Sequence, residues 1–481
     1  MDKKNGNKPD TKEHPVRKGL IASYISGILD STQGESCATI IRLFLPEFVG
    51  ALLLYCGPNL IENYFIGQLK STPTFATLAA TSSLIHTLTK MAEGFAVGTL
   101  ILAGQFNGKA DYKEAGRSVR DAFWVTSFLG LVVASVLYFG AYWIYYWFGV
   151  PTEIIGLGVP YLRLRAIGIL FMFVYLALVG FIKGIKNTRV PMQIFIMGAF
   201  ILIALEYLLI FGNFGFPRMG LQGSALAAVI QYGFMTVAAV SYILFYPGNR
   251  KYAVDLFSVF RSRTHMFELV KLSWPVIIDK TTLSLAYIWL VAMIAHMGSP
   301  IIATFGVIKD MERIALTPAI AFAAIITFLV SNDLGKKNWE GIKSNIKKTV
   351  FLASFCVMVI LVIFSFMPEV IIGLFDKKGD FTMYAVRAFP ILALLSFFDV
   401  LQVVLSGALR GAANVKTVMM VRLIVCGGIF APLSYALTFL PISDPVVKFI
   451  IIYGSFYVCN GIMSIIYINR FRSNEWKKNL I

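Results

Sequence analysis

The side chains with most to do are ionisable groups lying inside long apolar runs. Asp399 follows Phe397 and Phe398 and precedes Val400 and Leu401. Asp279 lies one helical turn after Pro275, and Lys309, Asp310, Glu312 and Arg313 put four charges into five residues. Lys90 and Glu93 are one turn apart, with His86 one turn earlier, and Glu62 and Glu206 are further acids in apolar surroundings. A charge inside a membrane-spanning helix costs about 2.5–3.5 kcal/mol on insertion scales, so it faces a cavity or a partner. A buried carboxylate of this kind can hold a proton or Na+ and exchange it for a cationic substrate. The chemistry on offer is therefore transport. The four histidines are far apart and no phosphate-binding glycine loop is present, so neither catalysis nor ATP hydrolysis is expected. No cofactor is expected beyond a coupling ion, Na+ or H+, and energy must come from an ion gradient.

At 1.5 Å per residue, Asp279 and Asp399 both fall roughly 10–15 Å from the same membrane surface and could share one ion. They are the Na+ candidates, a pair with Lys280 being the rival role for Asp279. Lys90 and Glu93 are expected to pair with each other, a proton relay through His86 being the alternative. Lys309, Asp310, Glu312 and Arg313 are expected to line a central substrate cavity with Lys90, Glu93 and His86. There they would pair with one another or with Asp279 or Asp399. Glu206 is expected to be structural.

These residues need long helices to place them. Of 481 residues, 57% are hydrophobic and 14% charged, with a mean hydropathy of +0.73. Soluble domains carry about 25% charged residues. A bilayer supplies the apolar solvent that a soluble fold of this size lacks. Spans of roughly 20 apolar residues recur twelve times, from 42–66 to 446–469. Lys and Arg collect in the tails and in alternate loops, such as Lys109, Lys113, Arg117 and Arg120 and then Lys183, Lys186 and Arg189. By the positive-inside rule both termini are cytoplasmic. This clustering explains the net charge of +17 without nucleic acid. The five cysteines are scattered and have neither disulfide nor metal spacing. No cleavable signal peptide is expected, and the helical spacing of Leu20, Ile21, Tyr24, Ile25, Ile28 and Leu29 leaves a surface helix or a plain linker as alternatives.

The chain also repeats itself. Leu178, Gly180, Lys183, Gly184, Asn187 and Arg189 recur as Leu405, Gly407, Arg410, Gly411, Asn414 and Lys416, each 227 positions later. The same shift maps Gly108-Lys109 onto Gly335-Lys336. A shift of six spans keeps orientation, so the repeat is parallel, with a path between the halves. The expected organisation is a tail with a possible surface helix (1–35), a six-helix lobe (36–246), a linker (247–267), a second six-helix lobe (268–470) and a tail (471–481). The fold class is all-α integral membrane, with twelve transmembrane helices in two pseudo-symmetric lobes around a central cavity.

The repeated Leu-x-Gly-x-x-(Lys/Arg)-Gly element resembles the signature of the multidrug and toxic compound extrusion (MATE) family. So do Glu62-Asn-Tyr-Phe-Ile-Gly67 and Gly108-Lys-Ala-Asp-Tyr-Lys-Glu-Ala-Gly116. Asp399-Val-Leu-Gln-Val-Val-Leu-Ser-Gly-Ala-Leu-Arg-Gly411 is similar to the tenth helix of its Na+-coupled multidrug branch. The resemblance implies a cation-coupled antiporter that exports amphipathic, cationic organic compounds by alternating access, as a monomer in the plasma membrane. It makes Asp399 the cation-binding aspartate and Glu62 the counterpart of a first-helix aspartate. Asp279 lies one turn from the position of a seventh-helix glutamate. A flippase for a lipid-linked sugar or peptidoglycan precursor of the same superfamily is the alternative. Lys90, Lys280, Lys309 and Arg313 could supply charge for its pyrophosphate, although each has an acidic neighbour.

Overall fold

The computed structural model describes residues 33–55, 57–258, 264–372, 381–473 and 475–478. The surface helix expected near Gly19–Leu29 lies outside them. The described residues form helices and short turns, with no strand among them. The first half runs α1 (Cys37–Tyr55), α2 (Gly57–Gly67), α3 (Thr72–Gly108), α4 (Tyr112–Trp147), α5 (Thr152–Gly184), α6 (Arg189–Phe211) and α7 (Leu221–Phe245). The second runs α8 (Thr264–Ile294), α9 (Ser299–Gly335), α10 (Trp339–Phe366), the short α11 (Pro368–Ile372), α12 (Thr382–Leu395), α13 (Phe397–Gly411), α14 (Val415–Val425), α15 (Ala431–Thr438) and α16 (Pro445–Arg472).

Ten described helical stretches are long and apolar enough to cross a bilayer, and α12 with α13, bent by 41°, makes an eleventh. The twelfth expected span corresponds to α3. Its 37 residues are long enough, but its Thr, Ser and Gly content leaves it less apolar than a lipid-facing helix. The reason is its place in the fold. It packs against α4, α5, α8 and α9, and its outer half turns Ser83, His86, Thr87 and Lys90 outward rather than apolar side chains.

Each half is built on one hub. Helix α5 packs on α3, α4 and α7, and α9 packs on α10 and α13. Both hubs have 78% of their most apolar stretch buried, against 22% for α10 and 28% for α4, whose apolar side chains are left for lipid. The repeat persists in contacts. At Gly180 a Cβ would lie 2.2 Å from the Ala96 carbonyl oxygen, and at Gly407 2.6 Å from that of Ala323. Both glycines and both carbonyls are 227 apart, so only glycine permits this helix approach in either half. Helix starts repeat too. Asp111 and Asn338, again 227 apart, cap α4 and α10 by accepting from the backbone N–H of Glu114 and Gly341.

Among the described residues, the bonds between the halves gather toward one end, the end carrying the 246–258 segment and the basic turns. There Asn107 donates to Asn332 Oδ1 at 2.7 Å, and Asn332 donates to the Gly184 carbonyl at 2.8 Å. Tyr252 donates to Asn107 at 2.9 Å. Lys348 of α10 donates to the carbonyls of Gln33 and Glu35 at 3.1 and 3.0 Å, tying the segment before α1 to the second half. The seam is itself two-fold. A Cβ on Gly108 would strike the Asn332 carbonyl oxygen at 2.0 Å, and one on Gly335 would strike that of Gln105 at 2.2 Å.

Candidate functional site

Above the seam the halves part. On α3, Thr72, Phe75, Ala79, Ser83, His86 and Thr87 are exposed at helical spacing, and Lys90 is half-buried. From Ala92 to Gly108 the helix is almost wholly buried. On α9, Ile302, Gly306 and Arg313 are exposed, Lys309 and Asp310 half-buried, and the rest of the helix to Gly335 mostly buried. Residues three or four apart share a helix face. Each hub-side helix therefore turns one stripe to a cleft that opens away from the basic end and stops at Lys90 and Arg313. Two shallow pockets of about 400 and 380 Å³ lie away from the charged part of these stripes, the first taking in Thr72 and Phe75 at the outer end of α3.

The cleft floor is charged. Glu93 is bound by Lys90 on its own helix at 3.1 Å and by Lys280 of α8. This is the last described ion pair or hydrogen bond that joins the two halves in the direction of the open end. Arg313 pairs with Asp310 at 3.0 Å. The Lys309 ammonium lies 4.3 Å from the Tyr287 ring centroid and 5.7 Å from that of Phe305. His86 is within electrostatic reach of Lys90, Glu93, Lys309 and Arg313.

Four further polar sets are buried within the halves. In the second half, Asp279 is held between two guanidinium groups, Arg410 at 2.6 Å and Arg422. Asp399 on α13 accepts from Asn460 on α16, whose own Oδ1 is buried without a partner. Glu312 accepts from the Tyr453 hydroxyl at 2.5 Å and from that of Tyr457. In the first half, Glu62 accepts from Tyr161 at 2.8 Å, from Ser224 at 2.7 Å and from Arg165 at 3.3 Å. Ser224 also lies 3.1 Å from Glu206 Oε1. One hydroxyl has one proton, so Ser224 cannot donate to both acids. The chain Glu62–Ser224–Glu206 closes when one of the carboxyls carries a proton of its own.

Two segments of the chain, residues 48–208 and 275–436, match the MatE family model, one segment in each half. The chain belongs to the MatE family. A probable multidrug resistance protein YoeA of Bacillus subtilis (strain 168) is 24% identical over 417 residues, covering 85% of this chain and 89% of that protein. A probable multidrug resistance protein NorM of Rhizobium meliloti (strain 1021) is 27% identical over 386 residues, covering 78% and 81%. Among solved structures, a MATE protein in a straight conformation superposes with a TM-score of 0.83 at 16% identity, covering 94% and 99%. An outward-facing multidrug resistance MATE family transporter of the MOP superfamily superposes with 0.82 at 16%, covering 92% and 97%. The all-helical, two-lobed MATE architecture is thus shared along nearly the whole chain.

Within this MATE fold the residues singled out from the sequence separate into sites. Lys90, Glu93, His86, Lys309, Asp310 and Arg313 come together on the cleft floor, and Lys90 pairs with Glu93 as expected. Glu312 does not join them. It points into its own lobe, because α16 offers it two tyrosine hydroxyls that the open cleft does not. Asp279 has each of its oxygens bonded to an arginine, whereas Asp399 is bonded to Asn460. Asp279 does not pair with Lys280, which reaches across the seam to Glu93. No group of three or more His, Cys, Asp or Glu with metal-site geometry occurs among the described residues.

Several partners went unrecognised in the sequence. Arg410 reads as a loop charge and Arg422 sits in Val415-Lys-Thr-Val-Met-Met-Val-Arg-Leu-Ile-Val425. An arginine inside an apolar run needs an acid, and that rule points to Asp279. Arg165 carries the same signal toward Glu62. Ser224 and Asn460 carry none, as uncharged polar residues are ordinary in spans.

Proposed function

We propose that this MATE transporter is an antiporter that exports amphipathic organic compounds in exchange for Na+ or H+, in the plasma membrane, with both tails in the cytoplasm. The multidrug resistance names of its relatives and the positive-inside pattern support this reading. With the basic end cytoplasmic, the state described above is sealed toward the cytoplasm and open outward. Alternating access would then rock the lobes about the charged floor, opening the seam at Asn107, Asn332 and Gly184.

The observation that carries ion coupling is Asp399. It is 7% exposed, hydrogen-bonded by an amide, and in no ion pair among the described residues. A buried carboxylate without an ion partner needs a cation to balance it. A proton serves, and so does Na+, for which Asp399 and the unpartnered Asn460 Oδ1 offer oxygen ligands. Glu62 with Glu206 is the corresponding candidate in the first lobe, as the pair already needs a proton to complete its hydrogen bonds. Asp279 orders the C-terminal lobe instead, by neutralising Arg410 and Arg422.

The test is dye efflux from proteoliposomes under an imposed Na+ gradient and then under a pH gradient. Asp399→Asn should abolish gradient-driven efflux. Unchanged efflux in that variant would remove Asp399 from the coupling role. A flippase for a lipid-linked pyrophosphate is the second reading, favoured by the excess of basic groups on the cleft floor.

A further inference from the structure

We propose that the cleft floor is a binding site for the anionic group of an amphipathic molecule, a carboxylate, sulfonate or phosphate. The inference rests on the export reading for the route the molecule takes, and on the cleft alone for the sign of its charge. Four cationic side chains, Lys90, Lys280, Lys309 and Arg313, face two carboxylates, Glu93 and Asp310. Both carboxylates are already neutralised, Glu93 by two lysines and Asp310 by Arg313. A positive excess is left over.

Lys309 carries the argument furthest. Its ammonium lies against the faces of Tyr287 and Phe305, with Asp310, Glu312 and Arg313 in electrostatic reach, and no carboxylate lies within 4 Å of it among the described residues. An ammonium on aromatic rings at the foot of a cleft leaves donors free for an oxyanion, while the rings offer an apolar wall to the rest of the ligand. The other acids of this lobe, Asp279, Glu312 and Asp399, are all buried inside it and do not line the cleft floor.

The two halves converge on the same spot. His86 and Arg313 are 227 apart, so they are counterparts in the repeat, and both face the cleft. Arg313 lies 14 residues from the start of α9 at Ser299, a depth of about 20 Å at 1.5 Å per residue. Lys90 with Glu93 comes from one lobe, and Lys280, Lys309 and Arg313 from the other. An anion bound among them would contact both lobes, and rocking would change its coordination. This gives the ligand the differential contacts that a transported substrate needs.

The experiment measures equilibrium binding to the purified full-length protein in maltoside micelles. The probes are fluorescein, an amphipathic anion, and ethidium, an amphipathic cation, both followed by anisotropy. Fluorescein should bind saturably, with Lys309→Gln and Arg313→Gln each weakening it by about tenfold. Arg313→Lys should retain most of the affinity, and ethidium should bind no better than to empty micelles. Arg313 is more than half exposed, so its replacement leaves the fold intact even should Lys309→Gln not. Competition by taurocholate would identify a soluble anion as the ligand class, and competition by dioctanoyl phosphatidylglycerol a lipid headgroup. Saturable ethidium binding without fluorescein binding would overturn the proposal. So would fluorescein binding indifferent to both glutamine variants. Fluorescein binding that Arg313→Gln weakens, without gradient-driven fluorescein efflux, would uphold the anion site and remove the export reading.

Discussion

Asn332 is the residue on which the closed seam most depends. Its side chain accepts from Asn107 at 2.7 Å and donates to the Gly184 carbonyl at 2.8 Å, both in the opposite lobe. A third bond, to Phe328 in its own helix, survives any lobe movement. In Asn332→Ala the two inter-lobe bonds are lost from the sealed state alone. At about 1 kcal/mol net for each bond, the sealed state loses about 2 kcal/mol relative to a state opened at the basic end, a shift of about 30-fold in their ratio. A cysteine at position 273 reads this out. Ser273 is fully buried, and a Cβ on Gly98 of the other lobe would lie 2.4 Å from its hydroxyl oxygen, so a maleimide reaches it only when the lobes separate. With the five native cysteines replaced, Asn332→Ala should speed labelling of Ser273→Cys by about the same 30-fold. A labelling rate unchanged in a protein that still melts cooperatively would refute the claim that these bonds hold the seam.

Two further outcomes follow from ion pairs, one buried and one at the surface. Asp279→Asn leaves Arg410 and Arg422 facing a neutral amide inside the lobe, which should cost about 3–5 kcal/mol and lower the melting temperature of the purified protein. If Asp279 instead bound the coupling ion, the variant would lose ion dependence at unchanged melting temperature. At the surface, Arg387 donates to Asp444 at 2.8 Å, and with the Val446 N–H it holds that carboxyl below the usual range. The contribution is present above the unfolded-state value of about 3.9 and is lost as pH falls through the lowered folded value. Asp444→Asn should therefore melt slightly below the parent at pH 7, with the gap closing on acidification.

Much of the fold is legible from the sequence because the bilayer imposes a coarse and repeated constraint. The spans, the alternation of Lys and Arg and the 227-residue repeat are one-dimensional signals. The glycines that carry the repeat, Gly180 and Gly407, are visible as spacing before their contacts with Ala96 and Ala323 are known. Helix α3 is the exception in apolarity, because its outer half turns Ser83, His86, Thr87 and Lys90 to the cleft. The site is less legible because pairing is three-dimensional. The sequence brings together the charges of Lys309, Asp310, Glu312 and Arg313, yet 3.6 residues per turn send Glu312 into the lobe and Arg313 into the cleft. Asp279 looks equally fit for an ion or an arginine until Arg410 and Arg422 are placed beside it.

The pattern of kept and broken symmetry suits a rocking transporter. Gly108 on Asn332 and Gly335 on Gln105 form a seam in which each lobe presents the same surface to the other. Such a seam can part without either lobe being the fixed one. The polar chemistry follows no such rule. Asp399 corresponds under the shift to Met172, a buried side chain whose sulfur accepts from the Thr89 hydroxyl at 3.5 Å. Glu312 corresponds to Ile85, and His86 to Arg313. An ion bound in one lobe but not at the equivalent place in the other changes the energy of one lobe against an otherwise balanced partner. A coupling ion can bias a two-state motion only through such a difference. On this argument, restoring symmetry at Met172 would weaken the bias as surely as deleting Asp399, and the divergence of the two copies is what lets a symmetric machine run in one direction.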